Sequence, residues 1–134
     1  MKIITAVDDN GGLLFNNRRQ SRDRVLRDYI VELTSRHTLW INSYTAKLFD
    51  EIPEHVIVDD DFLYKAGLLD YCWVENQHVS EIADNISEVI LFHWNRQYPG
   101  DFFFDLDLRE WKLIATKEFS GSSHKQITQE NYIR

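Results

Sequence analysis

A mixed α/β sheet flanked by helices, folded as one domain spanning residues 1–134, is the architecture this sequence predicts. Apolar, β-branched runs of strand length alternate with helix-period segments through the first two-thirds of the chain, the order expected of a sheet with crossover helices. The last third carries two strand-like segments, Trp111–Phe119 and Gln126–Ile133, with no helical stretch between them, so an antiparallel pair is expected there. The composition is 43% hydrophobic and 13% aromatic, with two prolines and five glycines in 134 residues. Such a chain fills one core and leaves little for disordered linkers.

Lys2–Val7 is the first strand, closed by the turn Asp8-Asp9-Asn10-Gly11-Gly12. Ser21 or Asp23 is placed to cap a helix running from about Asp23 to Ser35, because Val25, Leu26, Tyr29, Ile30 and Leu33 recur at helical spacing and leave the arginines on the opposite face. His37–Asn42 holds a second strand, and Thr45–Phe49 starts a short helix that stops near Pro53. Val56–Val58 is a third, very short strand, followed by the acidic turn Asp59-Asp60-Asp61 and a helical turn or two within Phe62–Leu69. Tyr71–Val74 is a buried strand, Val79–Asn85 a helix and Glu88–Trp94 another strand. In the tail, Trp111–Phe119 alternates as a half-solvated strand does.

Charge and motif content exclude several functions. The chain carries net charge −7, yet between Arg18 and Asp28 five arginines face two aspartates, a local +3 that leaves −10 on the rest. An acidic body repels nucleic acid over most of its surface, whereas one anionic group is drawn to the arginine segment. Apolar runs such as Val89–Phe92 fall far short of the ~20 residues that span a membrane. Asp8 and Asp9 interrupt the N-terminal apolar run before it reaches leader length, so cytoplasmic residence is expected. The single cysteine, Cys72, reads as a buried strand thiol. His37, His55, His78, His93 and His124 form no ligand-spaced pair, and no metal site is expected.

The run Ile4-Thr5-Ala6-Val7-Asp8-Asp9-Asn10-Gly11-Gly12-Leu13-Leu14-Phe15-Asn16-Asn17 resembles the opening of the dihydrofolate reductases, D-x-N-G-x-I-G-x-x-N after a first strand. Tyr29, Leu33 and Thr34 sit where that family's substrate-flanking helix has an aromatic, a leucine and a threonine. Thr38–Thr45 is similar to its P-V-I-M-G-R-x-T, Cys72–Val79 to its V-I-G-G-G-x-x-Y, and Tyr98–Phe104 to its G-D-x-x-F-P, with Trp111 a little beyond. The resemblance implies a single dihydrofolate reductase-like domain, shortened in the middle, since Phe49 to Trp73 is shorter than the family's span by roughly a strand and a helix.

The same comparison implies that the family's chemistry is lost. Its catalytic carboxylate falls at Leu26, which neither accepts a hydrogen bond nor carries charge. Its L-P-W lid becomes Arg19-Gln20-Ser21, and its phosphate-contacting arginine becomes Ser43. Its glycine turn becomes Glu75-Asn76-Gln77, which sets a carboxylate where a dinucleotide pyrophosphate would lie. A shift in register would let Asp23 or Asp28 replace the acid without restoring the glycine turn. The expectation is therefore a non-reductase that holds no cofactor and binds an anionic small molecule or an acidic protein surface through Arg18, Arg19 and Arg22. Tyr44 and Thr45 are expected to complete that site, and His93 to line whatever remains of the cleft. Two alternatives stay open: a small acidic interaction or inhibitor protein docking on a basic partner, and a divergent NADPH-dependent oxidoreductase.

Overall fold

Side chains alternate along β1 (Lys2–Val7), so Ile3 and Ile4 lie on opposite faces of a sheet, and both are fully buried; the sheet is therefore covered on both sides. The computed structural model describes the whole chain, Met1–Arg134. After β1 come β2 (Gly12–Phe15), β3 (Arg18–Arg19), α1 (Arg24–Leu33), β4 (Leu39–Ile41), the single-turn α2 (Ser43–Ala46), β5 (Val56–Val58), β6 (Tyr71–Trp73), β7 (Glu88–His93), β8 (Phe102–Phe103), β9 (Lys112–Phe119) and β10 (Ile127–Ile133). Short 3-10 turns occupy Phe62–Tyr64 and Ser80–Asn85. The second of these replaces the expected helix over Val79–Asn85; Ile82 has non-helical φ and ψ and breaks the run.

Seven strands form the main sheet in the order β5-β4-β6-β1-β7-β10-β9. β1 runs parallel to β6 and β7, β4 runs parallel to β5 and β6, and β10 lies antiparallel to both β7 and β9. Helix α1 packs one face, where Leu26 and Ile30 meet Ile4, Leu39, Trp73, Ile90 and Phe92. The other face buries Ile3, Cys72, Val74, Val89 and Leu91 beneath Phe62, Val79 and Ile86. Cys72 is fully buried, and burial pushes its thiol up to about 12, so it is an inert core group. No helix is long and apolar enough to cross a membrane.

Two features depart from the elements that the sequence predicts. A second sheet, β3-β2-β8, sits beside the first. Its hairpin turns at Asn16 and Asn17, both at positive φ (50° and 61°), the conformation that a two-residue turn between antiparallel strands requires. β9, the edge strand of the main sheet, is also exposed along seven of its eight residues on both faces, rather than half-solvated; α1 reaches only its end, where Tyr29 packs on Phe119.

Candidate functional site

The parallel strands β1, β4, β6 and β7 all end on one side of the sheet, the side on which open α/β sheets place their ligand crevice. β6 is buried throughout and delivers Glu75 to that rim, while Asn42 caps α2 and presents Tyr44 and Thr45 beside it. The β2–β3 hairpin lays Arg19 across the top. Arg19 Nε and Nη2 donate to the two Glu75 carboxylate oxygens at 2.9 and 3.1 Å, and Nη2 also reaches the Tyr44 carbonyl. Its guanidinium lies 4.1 Å from the centre of the Tyr44 ring, and the Tyr44 hydroxyl accepts from the Arg19 backbone N–H. Thr45 Oγ1 donates to Glu75 Oε1 at 2.8 Å. The side chains of Arg19 and Glu75 are only 14% and 13% exposed. Burial alone would lower the arginine's pKa, but the Glu75 carboxylate more than offsets it and holds the group above its ordinary value.

Arg19, Tyr44 and Thr45 thus form an anion site, and the anion they hold is Glu75 itself. Asn76 and Asn42 close the neighbouring gap through their side-chain amides at 2.7 Å. Beneath the ion pair lies a cavity of about 30 Å³, bounded by Ala6, Leu13, Leu26, Trp73 and Trp94. That is room on the scale of one water molecule.

Asp23 borders the same cavity and answers the question of a displaced acid. Its fully buried carboxylate accepts from the N–H groups of Leu26, Ser122 and Ser123 and from Ser123 Oγ, at 2.7 to 3.0 Å. Burial alone would raise its pKa, yet these donors outweigh burial and hold the carboxyl far below the usual carboxylate range. Asp23 is the ionised cap of α1, with no proton to give at neutral pH. Asp28 is 61% exposed on the outer face and pairs with Arg27. A relay extends from the cap: the single Ser123 hydroxyl proton goes to Asp23, so His124 Nδ1 carries the hydrogen in its 2.7 Å contact with Ser123 and Nε2 accepts from the Tyr98 hydroxyl at 2.7 Å. His124 stacks on Trp94, and burial lowers its pKa against the weaker pull of Asp23.

The expected set therefore divides. Arg22 borders the small cavity beneath the Arg19–Glu75 pair and also lines an adjoining open cleft of about 270 Å³, with Asp23, Arg24, Arg27, Leu48 and Ser122. Arg27 is engaged by Asp28 and by the Leu48 carbonyl, whereas the guanidinium groups of Arg22 and Arg24 make no ion pair or hydrogen bond. Arg18 is exposed on β3 and lines neither cavity. His93 corrects the sequence expectation: it lies on the face opposite α1, with Nε2 2.5 Å from Glu130, because β7 turns Phe92 and Trp94 rather than His93 toward the helix. Ser43 faces outward and donates twice to Asp60. The sequence offered no spacing signal for the contact of Asp23 with Ser122 and Ser123, which lie about a hundred residues away.

The solved dihydrofolate reductase from Enterococcus faecalis, complexed with NADP(H) and RAB-propyl, superposes on this chain with a TM-score of 0.67, covering 100% of this chain and 96% of that one. The fold is dihydrofolate reductase-like. Sequence identity in that superposition is 16%, so the likeness carries the architecture alone. No family model matches the sequence, and no curated protein matches it either. Within this fold, the turn that the resemblance assigns to a dinucleotide pyrophosphate is Glu75-Asn76-Gln77, and its carboxylate is already bound to Arg19 and Thr45. The pairing neutralises the one arginine at that turn and sets a carboxylate beside it.

Proposed function

We propose that this chain is a non-reductase of dihydrofolate reductase-like fold that binds an anionic group, phosphate or carboxylate, in the cleft of Arg22 and Arg24. The ion pair of Arg19 with Glu75 carries the reading. It removes both the space and the charge that a dinucleotide needs, and it leaves Arg22 and Arg24 as the unpaired cations nearest the rim. Two guanidinium forks and the Ser122 hydroxyl supply donors suited to a tetrahedral or planar oxyanion, the one carboxylate in the lining, Asp23, is saturated by its own donors, and Leu48 offers an apolar wall to the body that bears the anion. Relative to the sequence expectation, Arg24 takes the place of Arg19, and Arg18 contributes only long-range attraction.

Inorganic pyrophosphate in a thermal-shift titration at low salt tests this. Saturation near a hundredfold the dissociation constant stabilises a protein by about 2.7 kcal/mol, and a rise of that kind is expected for the wild type and not for Arg22→Ala/Arg24→Ala. An equal rise in both proteins refutes the site. NADPH supplied with dihydrofolate is expected to be neither consumed nor bound more tightly than pyrophosphate; steady NADPH oxidation would establish the reductase alternative instead.

A further inference from the structure

We infer that the open edge at β5 is a docking strand for an extended, lysine- or arginine-rich segment of a partner protein, independent of the arginine cleft. β5 ends the seven-stranded sheet and pairs with β4 alone. The bonds on either side of it, Leu39 N–H to the His55 carbonyl and Asp59 N–H to the Ile41 carbonyl, fix the alternation of the parallel ladder. Ile57 therefore directs both of its backbone groups at β4, while Val56 and Val58 direct theirs outward. The Val56 N–H is taken by the Pro53 carbonyl, which leaves the Val56 carbonyl and both Val58 groups facing solvent. Ile57 and Val58 are each 42% exposed, so the edge strand offers an apolar side chain on each of its two faces. The chain from Val58 to Tyr71 adds only one 3-10 turn and crosses back to β6, so nothing covers the strand.

Charge selects the occupant. Residues 50–61 hold six carboxylates and no lysine or arginine. Asp59 is bound to Lys65 and Asp60 to Ser43. The side chains of Asp50, Glu51, Glu54 and Asp61 make no hydrogen bond or ion pair, and they bracket the open edge at both ends. A visiting strand gains backbone hydrogen bonds from Val56 and Val58, apolar contact from Ile57 and Val58, and ionic contact from the flanking acids only if it is itself basic. The opposite edge, β9, carries Lys112 and Lys117 and a bulge at Ile114, where its register with β10 shifts between Asn131 and Tyr132, devices that discourage strand addition there.

A fluorescein-labelled peptide alternating lysine with valine is the probe, read by fluorescence anisotropy on the full chain, and the same peptide with central prolines is the control. Val58→Pro is expected to fold, since proline is tolerated where the N–H faces solvent, and to weaken peptide binding about tenfold. Changing Asp50, Glu51, Glu54 and Asp61 together to their amides is expected to weaken it about tenfold at low salt and to flatten its salt dependence. Slowed hydrogen exchange at the Val58 amide on adding peptide supports the docking directly, without relying on any variant. The proposal is overturned if the proline peptide binds as well as the probe, if neither set of changes alters binding, or if the edge instead takes a second copy of the chain, seen as concentration-dependent dimers that Val58→Pro abolishes.

Discussion

Replacing Glu75 with alanine isolates the contact that closes the rim. The carboxylate accepts two hydrogen bonds from Arg19 and one from Thr45, with both charged side chains about nine-tenths buried. Breaking a fully buried pair from one side costs roughly 3 to 5 kcal/mol, and an exposed pair is worth about 1 kcal/mol or less. Residual exposure of 14% and 13% places this pair near the buried end with some screening, so a loss of about 2 to 3 kcal/mol is expected, or roughly 8 °C in melting temperature for a domain of this size. The alanine variant also leaves the Arg19 guanidinium, its Tyr44 platform and the Thr45 hydroxyl around an empty anion position. In an Arg22→Ala/Arg24→Ala background, millimolar phosphate should therefore restore much of the lost melting temperature in the Glu75→Ala protein and leave the parent unmoved. Urea denaturation and thermal scans with and without phosphate read both effects. A variant within about 0.5 kcal/mol of wild type, or phosphate stabilisation that does not depend on Glu75, would falsify the view that Glu75 is an internal stand-in for a ligand.

Other consequences follow from the same geometry. Asp23→Ala removes a buried cap with four donors and should cost about 3 kcal/mol in urea denaturation. Because the folded-state pKa of Asp23 is depressed, its contribution is complete above the unfolded value of about 3.9 and fades as pH falls further, so the wild type should lose stability on acidification below about pH 4 more steeply than Asp23→Ala. His124 also has a depressed pKa, so its neutral form stabilises the fold above about pH 6.5, and protonation of the unfolded chain erodes that as pH drops; His124→Gln should flatten the decline in urea midpoint between pH 7 and pH 5. Leu26→Asp places an unpaired carboxyl in the α1 core stripe, where Leu26 is 2% exposed; a loss of about 4 kcal/mol and no NADPH-dependent reduction of dihydrofolate are expected, checked by urea denaturation and by NADPH absorbance.

The fold was legible where one physical signal dominated. β1, β5, β6 and β7 announce themselves as β-branched or aromatic runs, and α1 by its apolar spacing and its Asp23 cap. The β2–β3 hairpin carries no strong signal in the sequence because Asn16-Asn17 lacks the glycine that usually marks such turns, though asparagine tolerates the same left-handed backbone. The site was only half readable. Arginine density pointed to the correct stretch of chain, but whether a guanidinium is free depends on what lies opposite in space, and Glu75 is fifty-six residues from Arg19. His93 misled because a one-residue step along a strand reverses the face, so its neighbours Phe92 and Trp94, not the histidine, point at the helix.

Asp23 joins the first turn of α1 to Ser122 and Ser123, so the beginning of the helix is not finished until the turn between the last two strands has docked. During synthesis the helix emerges long before Ser122 and Ser123, the donors that saturate its Asp23 cap, exist. Early helical structure in the nascent chain will thus carry a half-saturated cap, and docking of the β9–β10 turn will be the event that locks it.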